Sequence, residues 1–196
     1  MAKEDKASSH EGRRRRPDIT IRAPRPSDFV DIVDYYFRFY DEVRENPVFG
    51  VVLSSNKPSM NDELRWFSNL YDSVARGDLI AFVAEVKGRA VGLCEVRTAG
   101  RPGSEVSHRG DLGIAVSSDY RGMGVGTALL RSALRNCKGK FEIIELSVFS
   151  KNLGARRLYE RFGFRRYATR PASVKRGTEY LDEELMRLDL RVARAR

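Results

Sequence analysis

Histidine and cysteine are scarce in this 196-residue chain, with two of each, and tryptophan occurs once. His10 and His108 stand far apart in no partner pattern, so neither a zinc site nor a Ser-His-Asp triad is expected. Cys94 falls on an apolar strand and Cys137 at a helix end. Without metal-ligand spacing or a disulfide framework, they suit a reducing, cytoplasmic compartment. Long apolar runs are also missing, and none approaches the roughly 18–20 residues of a membrane span. The N-terminus lacks the apolar core of a secretory signal. These absences predict a cytoplasmic protein with no metal and no membrane partner. There is no internal repeat.

What is present suits one domain. A hydrophobic content of 41% over this length can bury a single α/β core. The net charge is +9, and it divides unevenly along the chain. Residues 1–17 carry Lys3, Lys6 and Arg13 to Arg16 against Glu4, Asp5 and Glu11, without apolar periodicity. They read as a disordered basic tail. Residues 18–196 form the domain. A basic surface attracts nucleic acid, acidic proteins and nucleotide cofactors alike, so charge does not choose among them.

Periodicity orders the elements. Ile19 and Ile21 mark a first strand, and Ser27 or Asp28 can cap a helix carrying Phe29, Ile32, Val33, Tyr36, Phe37 and Tyr40 on one side. After a Pro/Gly loop over 46–60, a second helix has Leu64, Phe67, Leu70, Tyr71 and Val74 on its buried side and Gly77 at its end. Strands over 79–86 and 90–97 flank Lys87-Gly88-Arg89, a hairpin signal. Leu112, Ile114 and Val116 alternate with small residues in a central strand. From Val125 the period turns helical, with Val125, Leu129 and Ala133 on one face beside Leu130, Leu134 and Cys137. A strand over 141–149, a helix opened by Asn152 and stopped by Gly163, and final strands over 164–169 and 179–190 complete the order.

Between the central strand and its helix lies Arg121-Gly122-Met123-Gly124-Val125-Gly126-Thr127. Glycines there let backbone N–H groups converge, and the helix dipole adds partial positive charge, a setting for a pyrophosphate. Arg121 adds a full charge at the rim. The Lys of a P-loop is missing, and a Rossmann G-x-G-x-x-G fails at Thr127. The R-x-x-G-x-G that remains resembles the acetyl-coenzyme A loop of the GNAT superfamily of N-acetyltransferases. A second block supports the resemblance: Asn152, Ala155, Leu158-Tyr159 and Gly163-Phe164 are similar to that family's fifth strand and following helix.

The resemblance implies a GNAT-like α/β fold: a mixed, mostly antiparallel sheet with splayed central strands and helices on both faces. It implies acetyl-CoA as cosubstrate and a primary amine as acceptor, a protein N-terminus, a lysine or a small amine. By the same resemblance, Ile114, Ala115 and Val116 offer backbone to the pantetheine arm. Asn152 contacts the arm, and the phenol of Tyr159 stands near the thioester sulfur as proton donor. Asn152 and Tyr159 are seven residues apart, so they share a helix face. A related branch, the ribosomal-protein N-terminal acetyltransferases, places its base on the fifth strand, where this chain has Ser147. Asp111 on the neighbouring strand is the preferred base, with Glu145 the alternative. The rivals are a nucleic-acid- or ribosome-binding module led by Arg13 to Arg16, and a regulatory coenzyme A-binding module. Nucleic acid is expected to matter only through that tail, and a homodimer is left open.

Overall fold

A computed structural model describes residues 16–47, 50–101 and 103–191. The tail reading for residues 1–15 lies outside these, and only Arg16 and Pro17 of it are described. Strands β1 (Thr20–Arg22), β2 (Leu79–Val86), β3 (Arg89–Thr98), β4 (Arg109–Val116), β5 (Ile143–Phe149), β6 (Arg165–Arg176) and β7 (Glu179–Asp189) form one sheet in the order β1-β2-β3-β4-β5-β7-β6. Every pairing is antiparallel except β4 with β5. Helices α1 (Phe29–Glu45), α2 (Met60–Ala75), α3 (Val125–Cys137) and α4 (Leu153–Arg161) complete the order that periodicity predicts. No described helix is long and apolar enough to cross a membrane.

Side chains alternate across a strand, so β2 and β3 feed two cores. Ala81, Val83 and Leu93 pack with Ile32, Tyr35 and Phe39 of α1 and Phe67 and Leu70 of α2. Ala84, Cys94 and Val96 pack with Leu129, Leu130 and Ala133 of α3 and with Tyr159 of α4. The sheet is therefore covered on both faces. All six apolar positions expected along α3 are buried.

The faces of α1 and α2 are turned from expectation. In α1 the fully buried aromatics are Tyr35 and Phe39, while Phe37 faces Lys57, whose Nζ is 4.1 Å from the ring centroid. In α2 the buried set is Glu63, Phe67 and Leu70, and Leu64 and Tyr71 are exposed. The apolar arc of each helix is broad, so hydropathy admits adjacent stripes within it and only the packing angle on the sheet selects one. Strand β6 also runs on past 169, through Pro171 to Arg176. Its pairing with β7 shifts register between Arg170 and Val174, a bulge in which an edge strand tolerates proline.

One polar cluster ties β1 to the start of α1. Arg22 donates to both carboxylate oxygens of Asp28, at 2.7 and 2.6 Å, and through Nε to Glu85 at 2.7 Å. Asp28 is 3% exposed and makes no side-chain cap bond to α1; it accepts instead from Arg25 N. Removing one partner of such a pair strands a buried charge, which costs about 3–5 kcal/mol. Arg22→Ala should therefore lower the melting temperature by about 10 °C in a chain this long. Thermal denaturation of the variant and parent checks this, and an unchanged midpoint would show that water compensates Asp28.

Candidate active site

β4 and β5 pair over three rungs only, Arg109 with Ile143, Gly110 with Ile144 and Asp111 with Glu145. β4 continues to pair with β3 as far as Val116, and β5 with β7 as far as Phe149. The two parallel strands therefore separate after Asp111, and a cleft of ≈ 1130 Å³ opens between them. Ile114, Ala115 and Val116 line it. Past Asp111 the β5-facing edge of β4 has no strand partner among the described residues, and unpaired edge backbone invites strand addition.

At one end of the cleft stands the Arg121 loop. Gly122 (φ 74°) and Gly124 (φ 96°) are left-handed, and a Cβ on either would meet nothing within 4 Å. Gly124 is the N-cap of α3 but offers no side-chain cap, and no acid occupies the first turn. The first N–H groups of α3 thus keep their partial positive charge for an external anion. Gly122, Gly124, Gly126 and Thr127 line the cleft, whereas Met123 is half-buried beside it and the Val125 side chain is in the core. Val125 can contribute only its backbone. Arg121 lines the cleft with Lys151 and Arg161, and Arg16 joins them. Arg121 Nε donates to Val116 O at 2.9 Å and Arg121 Nη1 to Glu42 Oε2 at 2.6 Å. Sequence reasoning missed Lys151, Arg161 and the Glu42 partner. This cradle of open N–H groups and cations fits the diphosphate of coenzyme A.

α4 supplies the other wall. Asn152 caps it, accepting at Oδ1 from Ala155 N at 3.1 Å, and its amide nitrogen abuts Gly50 of the α1–α2 loop. Tyr159 and Asn152 both line the cleft, as their shared helix face predicts. Tyr159 is 6% exposed, and its ring packs against Phe164 with centroids 5.8 Å apart. Burial pushes its phenol well above the ordinary value, and Cys94 adds to the rise. Its hydroxyl takes no hydrogen-bond partner among the described residues. Both cysteines are buried free thiols. Burial raises Cys94, and it pushes Cys137 up to about 12.

The carboxylates divide. Asp111 occupies the last paired rung, exposed, opposite Arg97 of β3 and Glu145 of β5, and does not line the cleft. Glu145 is paired with Arg109 at 3.6 Å and does not line it either. Two acids that sequence reasoning passed over do line it, Glu95 of β3 and Glu183 of β7. Glu95 is paired across the sheet with Gly113, and a Cβ there would touch its side chain. Its Oε2 is buried without a hydrogen bond among the described residues, and Arg97 Nη2 is 3.7 Å away. Burial raises the Glu95 carboxyl, opposed by Arg97. One charge inside the apolar run Ala90-Val-Gly-Leu-Cys-Glu-Val96 was a readable signal for it. Glu183 is buried under Ser147, whose Oγ donates to Oε1 at 2.9 Å.

Known proteins resemble this arrangement. A model of the Acetyltransferase (GNAT) family matches residues 35–164. The L-amino acid N-acetyltransferase AaaT of Escherichia coli (strain K12) is 32% identical over 131 residues, 66% of this chain and 77% of that protein. A crystal structure of an N-acetyltransferase from Staphylococcus aureus Mu50 superimposes with a TM-score of 0.75 at 21% identity, over 88% of this chain and 99% of that one. A Salmonella typhimurium protein, yncA, solved with its cofactor acetyl-CoA, superimposes with a TM-score of 0.71 at 20% identity, over 88% and 94% of the two chains.

Proposed function

The chain belongs to the GNAT family of acetyltransferases and uses acetyl-CoA as acyl donor, and from that premise we propose direct transfer of acetyl to the amino group of a small, amino-acid-like acceptor, with Glu95 as base and Tyr159 as acid. The acceptor class is supported by the name of the Escherichia coli relative, an L-amino acid N-acetyltransferase. The observation that carries the base is Glu95 Oε2, buried at the cleft with no hydrogen bond from any described residue.

Acetyl-CoA supplies an activated acyl group as a thioester. The loop Gly122 to Gly126 and the α3 N-terminus hold its diphosphate, the open edge of β4 (Ile114, Ala115, Val116) takes the pantetheine arm, and Asn152 contacts that arm. An amine becomes nucleophilic only when it loses a proton, and an α-amino group holds one up to about pH 8. A carboxylate raised by burial is a stronger base than an exposed one, so Glu95 suits that removal better than Asp111. The proton passes from the ammonium nitrogen to Glu95, directly or through one water. Tyr159, raised by burial, keeps its proton at working pH and can donate it to the departing sulfur. The backbone N–H near Val116 can polarise the acyl carbonyl. Neither inert thiol is suited to carry the acetyl group, so the chemistry is a single displacement.

Acetyl transfer across free L-amino acids, a peptide N-terminus and a polyamine tests the acceptor. Turnover confined to the last two would overturn the amino-acid reading. Glu95→Gln tests the base and should lower kcat/KM by roughly a hundredfold. In the parent, kcat/KM should rise with pH through a group titrating above the ordinary carboxylate range of about 4.3. That limb should vanish in the variant. The sign for stability is opposite. A carboxyl raised in the folded state favours folding most below its unfolded value and loses that advantage as pH rises through the folded value. Glu95→Gln should therefore be no less stable than the parent at neutral pH. Full activity in the variant would sink the assignment.

A further inference from the structure

We propose that Glu183 and Ser147 form the subsite that receives the acceptor as its ammonium ion, before Glu95 deprotonates it. The inference rests on the acetyltransferase reading above and adds a residue that determines which acceptors bind. Glu183 lines the cleft although it is only 5% exposed. Its Oε2 is filled by Ser173 Oγ at 2.5 Å and Arg170 Nη1 at 3.1 Å, while among the described residues Oε1 accepts only from Ser147 Oγ at 2.9 Å. A carboxylate oxygen has room for two donors, so Oε1 retains one acceptor direction.

Ser147 sharpens the selectivity. A carboxylate has no hydrogen to give, so that bond consumes the single hydroxyl hydrogen of Ser147. What Ser147, itself exposed, then presents to the cleft is lone pairs alone. Two acceptors side by side, one carrying negative charge, match a group made only of donors. An ammonium is such a group, and an alcohol or carboxylate is not.

The sheet places this pair and Glu95 on opposite walls, because β5 and β7 lie on one side of the gap and β4 and β3 on the other. The two carboxylates therefore divide the work. Glu183, held by three donors, binds the cation; Glu95, with an unfilled oxygen, takes the proton. The bulge in β6 brings Arg170 and Ser173 onto Glu183, with Ala172 at φ 49° and its N–H bonded to Asp182 at 2.8 Å. Thus the carboxylate that Ser147 lacks is delivered to the same place from β7.

The test uses L-alaninamide, L-methioninamide and L-phenylalaninamide, whose amines titrate near the α-amino value of about 8. Hydrogen bonds to charged groups support a roughly 10- to 100-fold effect. Glu183→Gln should raise the amine KM by that factor at pH 7 with kcat and acetyl-CoA affinity little changed, and the penalty should shrink at pH 9, where the amine is neutral. Ser147→Ala, at an exposed position, should raise KM about threefold to tenfold and fold normally. Calorimetric titration of the same amines into the coenzyme A-loaded protein reads the loss without turnover. A parent that binds these amines but transfers no acetyl would fail the chemistry and leave the subsite supported. The subsite is overturned if the parent binds none of them or if both variants keep the parental KM. It is equally overturned if the penalty is independent of pH, or if Glu183→Gln unfolds while Ser147→Ala is unaffected.

Discussion

Gly124→Asp is expected to abolish measurable acetyl-CoA binding in a protein that still folds. Gly124 sits at φ 96° as N-cap of α3, with nothing within 4 Å of a built Cβ. A left-handed L-residue costs roughly 1–2 kcal/mol, but Asp and Asn bear it best, and both are good N-caps. The fold should survive. Binding should not, because the carboxylate would occupy the point where the α3 dipole and free N–H groups meet the diphosphate. One unit charge about 5 Å from another repels by about 3 kcal/mol at an effective dielectric of ~20, and a diphosphate carries more than one. The loss should exceed ~100-fold in Kd. Gly124→Asn has the same shape without the charge and should lose far less. Calorimetry on parent, Asn and Asp variants separates strain from charge; equal affinity in the Asp variant and parent would move the phosphates elsewhere.

Tyr159→Phe should cut kcat by ~10²–10⁴-fold, the usual worth of general acid–base help, with acetyl-CoA affinity nearly unchanged. The ring contact with Phe164 is retained, so the substitution removes only the hydroxyl. That hydroxyl has no protein partner among the described residues, so its loss strands no buried group and stability should hold within about 1 kcal/mol. A purely packing role predicts near-normal turnover. Measured kcat with a competent amine, beside Kd and melting temperature, decides between them. The raised phenol adds a pH signature: no basic limb from Tyr159 should appear below pH 10, since burial holds its proton beyond that.

Much of this protein is determined locally along the chain. The α3 helix repeats its apolar stripe every third or fourth residue, and every position so marked is buried, because an amphipathic helix has one way to hide one stripe. The loop before it needs backbone angles that glycine alone adopts easily, so Gly122 and Gly124 announce it in the sequence. Asn152 and Tyr159 share a face by helical geometry alone, and both reach the cleft. Family, fold class and acetyl donor follow from such local signals.

The acceptor side was decided only by tertiary structure. Whether an acid on a strand reaches the cleft depends on where β4 leaves β5, and that is a property of two strands whose paired residues, such as Asp111 and Glu145, lie 34 positions apart. Asp111 lies on the last paired rung, while Glu95, opposite Gly113, stands one alternate position further along the same face. Glu183 comes from β7 and meets Ser147 across 36 residues of chain. Its other donors arrive through a bulge around Pro171 that looks, in sequence, like the end of a strand. The α1 and α2 stripes were ambiguous for a related reason: the apolar arc of each helix is broad, and only docking on β2 and β3 chose which aromatics to bury. Periodicity encodes what a residue does to its own element. Non-local pairing and splay set which side chains meet, and here they brought together the residues of the proposed acceptor site.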